Sequence, residues 1–188
     1  MKRILLVLLL LCTFNVLHAQ TAIGAAAPVK AADPWKHGTN EYILDGNYSR
    51  QADGHWRGTV TSAWAHFATD NTEVGSIGSF RSVLTAALNG SQPQTVQGAG
   101  VGGFYEYNLP FGAKDKGHWF VGGDTQYLTG DLKALSTYTY STRAGRKWHV
   151  GKSAAVRLSF DFNRAGNQGS GAALNQEGVN LGISVGSS

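Results

Sequence analysis

The residues with the widest chemical reach are five histidines beyond the first twenty positions, His37, His55, His66, His118 and His149, set among abundant serines. None of the five stands at HxxH or HxxxH spacing, the intervals that bring two imidazoles together on a helix for a metal ion. His55, His66 and His149 fall near the ends of alternating segments, where a serine and a carboxylate could join them, but no such constellation is assignable. Gly98, Gly100 and Gly103 spell GxGxxG. A dinucleotide site needs that turn to open a helix after a strand, whereas here it leads into a strand, so the reading is glycine on a curved sheet. Gly151-Lys152-Ser153 ends like a phosphate loop, yet Arg146 occupies the position of the first required glycine. It is a turn. Cys12 is the one cysteine, which excludes a disulfide scaffold and a cysteine-rich zinc site. No catalytic set, cofactor or metal is therefore expected.

What remains is charge placed with a period of two. Asp45, Arg57, Glu73, Arg81, Glu106, Asp124, Arg143, Lys147, Arg157 and Asp161 all fall on one parity of their segments. The clearest segment is 155–164. Val156, Leu158, Phe160 and Phe162 share one face, and Arg157, Ser159, Asp161 and Asn163 share the other. The same alternation runs through 42–49, 56–64, 73–88, 101–108, 118–127, 138–148 and 179–185, giving eight strands, the third being the weakest. With their flanking residues they reach the roughly 9–11 residues of a tilted membrane-crossing strand. The connections ATDN and VGKS are tight, while NGSQPQTVQ, LTGDLKA and RAGNQGSGAALNQ are longer; QADG is shorter and LPFGAKDKG longer than this alternation asks.

The faces opposite the charges carry aromatics at two heights. Tyr42, Trp64, Tyr105, Tyr107, Trp119 and Trp148 fall near the short-turn rim, and Tyr48, Trp56, Tyr127, Tyr138, Tyr140 and Phe162 toward the loop rim. Two such girdles around a Val, Leu, Ala and Gly band suit a lipid-facing surface, because Trp and Tyr settle where one end of the ring is wet. The composition agrees. Only 15% of the residues are charged, against roughly 25% in an average soluble domain, and 25 glycines argue against a helical bundle. The expected fold is all-β, an eight-stranded antiparallel up-and-down transmembrane β-barrel.

Residues 1–19 have the form of a Sec signal peptide, with Lys2 and Arg3 ahead of an apolar run and a cut after Ala19. Residues 20–39 read as a flexible periplasmic tether and 40–188 as the barrel. Losing Lys2 and Arg3 with the signal lowers the formal charge from +4 to +2, with no basic stripe, so nucleic acid is not an expected partner.

The stretch AHFATDNTEVGSIGSF, with its Thr69-Asp70-Asn71 turn, and the stretch WHVGKSAAVRLSFDFN resemble hairpins of small bacterial outer-membrane barrels of the OmpA/OmpX/OmpW-like kind. The resemblance spans roughly residues 40–186. It implies a monomer in the bacterial outer membrane with both ends in the periplasm, contacting outer-membrane lipid and lipopolysaccharide and delivered by the barrel assembly machinery. Gly186-Ser187-Ser188 departs from the terminal aromatic of many such barrels. A narrow eight-stranded lumen is filled by side chains, so Asp45, Glu106, Asp124 and Asp161 are expected to pair there with Arg57, Arg81, Arg143 and Arg157. The functional expectation is a non-enzymatic structural or narrow pore-like element. Alternatives are a lipid-modifying barrel enzyme, with His, Ser and a carboxylate converging on the outer face near one rim, and a soluble periplasmic barrel carrying a small apolar ligand.

Overall fold

The computed structural model describes residues 35–50, 56–85, 94–109, 116–166 and 174–187. Eight strands follow in order: β1 (Asn40–Arg50), β2 (Trp56–Thr69), β3 (Thr72–Thr85), β4 (Gln94–Asn108), β5 (Gly117–Leu128), β6 (Tyr138–His149), β7 (Ala154–Ala165) and β8 (Gln176–Ser187). One short helix, α1 (Leu132–Leu135), stands between β5 and β6. Every strand pairs antiparallel with its chain neighbours, and β1 closes on β8 through pairs such as Tyr42↔Val185 and Leu44↔Ile183. The result is a closed up-and-down barrel. Closure leaves no strand edge with unpaired N–H and C=O groups, the condition a sheet must meet in lipid.

The strands run longer than their alternation. β4 starts at Gln94 rather than Val101, because Gln94–Gly98, mostly polar, are held against Arg81–Thr85 of β3. β8 likewise starts at Gln176, paired with Asn163 of β7. Part of each long link is therefore strand. Residues 86–88, which the third alternating segment includes, lie outside the described residues, as do the signal segment and the tether up to residue 34. Trp35 and Thr39, within the stretch read as tether, are buried against the barrel: Gly38 N–H donates to the Phe67 carbonyl and Phe67 N–H to the Thr39 carbonyl, both at 2.9 Å.

The two faces are inverted relative to a water-soluble domain. Leu181, Ile183 and Val179 are 63%, 56% and 58% exposed, whereas Lys147, Glu41, Glu73 and Glu106 are among the largest fully buried side chains. Strand alternation alone produces this, since every second Cβ points to the same side. The outward set includes eleven of the girdle aromatics; the side chain of Trp56 lies outside the described residues. On the inward side glycine makes room. At Gly98 a Cβ would sit 2.2 Å from the Thr129 carbonyl and 3.0 Å from Leu132, and at Gly100 it would meet Gln126 at 2.5 Å. The first two glycines of the GxGxxG spelling thus mark where the wall comes close to the residues that fill the lumen.

Candidate functional site: a charged lumen under an apolar lid

The inward side chains stack in layers along the barrel axis. Nearest the short-turn rim, the Lys147 ammonium lies 2.5 Å from Glu41, 2.9 Å from Glu73 and 3.4 Å from Glu106. Arg157 bridges two of the same carboxylates, at 3.2 Å to Glu41 and 2.5 Å to Glu106. Asn108 Nδ2 donates to Glu73 at 2.5 Å. All five ionic side chains are essentially removed from solvent. Rings pack around the cations: the Lys147 Nζ is 5.6 Å from the Trp35 ring centroid and 5.8 Å from that of Phe67, and the Arg157 guanidinium is 4.5 Å from that of Phe120. Charges taken out of water are tolerated only when paired and hydrogen-bonded, and here five strands contribute to one cluster.

An apolar layer follows, made of Ile43, Ala63, Ala65, Ile77 and Phe104. Toward the loop rim comes the second ionic layer. Arg143 donates to Asp124 and lies 3.9 Å from Asp45. Asp124 also accepts from Ser141 and, at 2.7 Å, from Gln126 Nε2. Gln126 Oε1 accepts from Ser79 at 2.5 Å, and Ser79 Oγ in turn accepts from Arg81 Nε at 3.3 Å. Asp161 accepts from Ser159 at 2.7 Å. A cavity of about 30 Å³ remains inside this layer, enough to hold ordered water among its polar groups.

Above it the loop mouth is closed by hydrocarbon. Leu132 and Leu135 of α1 join Val83, Leu128, Ala165 and Leu174 in one buried cluster. The α1 segment turns inward at Gly130, whose φ of +65° is the left-handed conformation that glycine adopts without strain. Leu132→Ala is expected to destabilise the folded barrel by about 2–5 kcal/mol, the usual cost of emptying a buried leucine site; the urea midpoint of the vesicle-inserted protein checks it. Lys133, on the exposed side of α1, sits 5.4 Å from the Tyr127 ring centroid, and hydrogen bonding to Tyr127 raises its pKa above the ordinary lysine value.

At the opposite mouth a cavity of about 370 Å³ is lined by Trp35, His118, His149, Asn108 and flanking polar residues. Trp35 stacks on His149 with centroids 4.6 Å apart, and His118 meets His149 edge-on at 5.0 Å. The remaining described histidines stand elsewhere. His66 bonds Asn40 Oδ1 at 3.0 Å on the outward parity, and the His37 backbone N–H donates to Asp70. Among the described residues no group of three or more His, Cys, Asp or Glu is arranged to hold a metal ion.

The eight charges expected in the lumen all point inward, and part of the expected pairing is present: Arg143 meets Asp124 and Asp45, and Arg157 meets Glu106. Arg157 also reaches Glu41, and the remaining two arginines bond to groups other than the four expected carboxylates. Arg81 bonds Ser79, and Arg57 donates to the Asn175 carbonyl. Glu41 is absent from the charges read off the alternation, and Lys147, although recognised as inward-facing, has no expected partner there. Both are central. Glu41 lies one residue before the start read for its strand, yet it shares the parity of Ile43 and Asp45, and that was the available signal.

No family model matches the sequence, and no curated protein matches it. Among solved structures, one described as "De novo design of transmembrane beta-barrels" is similar with a TM-score of 0.50 at 16% identity, covering 80% of this chain and 96% of that one. The chain therefore has the fold of a transmembrane β-barrel, a closed antiparallel barrel of eight strands.

Proposed function

We propose that the protein is an integral outer-membrane barrel with a structural, non-enzymatic role, and that its lumen does not conduct. The observation that carries this reading is the stacking inside the barrel. A solute entering from the loop rim meets the Leu128, Leu132, Leu135 and Leu174 cluster, then a hydrogen-bonded ionic layer, an apolar layer and a second ionic layer. Moving through it would separate buried ion pairs, and unpaired charge in that setting is costly.

The apolar outer face between its aromatic girdles supports membrane placement over the soluble carrier, whose ligand would need an apolar interior of useful size. On the outer face the partner seen for His66 is an amide, Asn40, rather than the serine and carboxylate that lipid hydrolysis calls for. The refolded full chain is expected to give no stepwise current in planar bilayers while showing heat-modifiable gel migration and detergent-dependent extraction. Steady single-channel steps would overturn the closed-lumen reading. Release into detergent-free buffer would overturn the membrane reading.

A further inference from the structure

We propose that Arg146, set between Trp119 and Trp148 on the outer face, binds the headgroup phosphate of an anionic phospholipid; this rests on the membrane-barrel reading. Arg146 lies on the outward parity of β6, directly across from Trp119 on β5 and Leu158 on β7. Its guanidinium carbon is 5.2 Å from the Trp119 ring centroid and 5.6 Å from that of Trp148. The two rings thus hold a cation at the level of the short-turn girdle, where a headgroup lies beside the wall.

Of the other outward-facing charges whose side chains are described, Arg164 pairs with Glu177 at 2.5 Å. Arg146 has no carboxylate within ion-pair distance among the described residues, and its Nε is buried without a hydrogen-bond partner. Val121 and Leu158, both exposed, flank it with surface suited to acyl chains. A cation kept on a lipid-facing wall calls for an anion from the lipid side, and the planar guanidinium fork matches two phosphate oxygens. An anionic headgroup fits better than a zwitterionic one, whose own ammonium competes for the phosphate.

The test uses the full chain folded into phosphatidylcholine vesicles containing a minor fraction of tail-brominated phosphatidylglycerol. A matched sample carries the bromine on phosphatidylcholine instead. Tryptophan quenching should show phosphatidylglycerol enriched about twofold to fivefold at the wild-type wall, the strength of an interfacial charged contact, and R146Q should abolish the preference. Equal quenching by the two lipids in the wild type, or an unchanged preference in R146Q, would overturn the site. If R146Q does not fold, added salt on the wild type decides: an exposed ionic contact is screened and its preference falls, whereas a salt-independent preference counts against it. A chain that never inserts overturns the barrel reading and the site with it; an inserted barrel without headgroup preference overturns the site alone.

Discussion

Lys147→Met is expected to lower the stability of the folded barrel by about 3–5 kcal/mol, the cost of removing one partner from a buried ionic cluster. The wild-type ammonium contacts Glu41, Glu73 and Glu106 together. Without it three buried carboxylates face Arg157 alone, and Arg157 reaches only Glu41 and Glu106. Glu73 is left with a single donor, Asn108. The measurement is the urea midpoint of the vesicle-inserted protein, alongside the temperature at which folded gel mobility is lost. A second substitution gives the test its specificity: Glu73→Gln in the Lys147→Met background should recover part of the loss, because it removes the carboxylate that lost its cation. Residues sharing one network are non-additive in this way. Methionine at 147 with wild-type stability would show that the cluster is not what holds this end of the lumen.

Gly102→Val is expected to be harsher still, destabilising by more than about 3 kcal/mol, above the usual range for overpacking. A Cβ at Gly102 would stand 1.8 Å from the Thr125 carbonyl oxygen and 2.8 Å from the Gln126 Cα, both backbone atoms of the paired strand. No side-chain rotation relieves such a contact, so the β4–β5 ladder itself must give. The adjacent Gly103→Val provides the comparison. Its nearest neighbour would be the Gly75 carbonyl at 3.6 Å, an ordinary contact on the outer wall, and the barrel should fold. Equal folding yields for the two variants would sink the idea that inward glycines set how closely β4 and β5 approach.

Parity was the legible part of this structure. Once Val156, Leu158, Phe160 and Phe162 share a face, the opposite destination of Arg157 and Asp161 follows, and each strand could be divided in the same way. Which inward side chains meet across the lumen was not legible, because that depends on strand tilt and stagger, which no single segment encodes. That is why Arg157, expected to serve Asp45, Glu106, Asp124 or Asp161, meets Glu106 and also reaches Glu41 across the lumen. The α1 lid was hidden for a different reason. Leu132 and Leu135 sit in a short link among Gly130, Asp131 and Lys133, and their burial comes from the mouth of the barrel rather than from any periodicity of their own. The start of β4 was obscured by composition: Gln94, Gln97 and Gly98 have little strand preference, and their partners on β3 supply it.

The lower ionic cluster divides the chain into two unlike halves. Its carboxylates come from β1, β3 and β4, and its cations from β6 and β7, with Lys147 106 residues from Glu41. None of the hairpins β1–β2, β3–β4 or β6–β7 can neutralise its own share of that layer. A leading half of the barrel alone would carry uncompensated acid into lipid, and a trailing half uncompensated base. Inserting one hairpin after another would carry unpaired charge until β6 and β7 join, so a route in which the acidic and basic strands meet before entering lipid is expected to be the faster one.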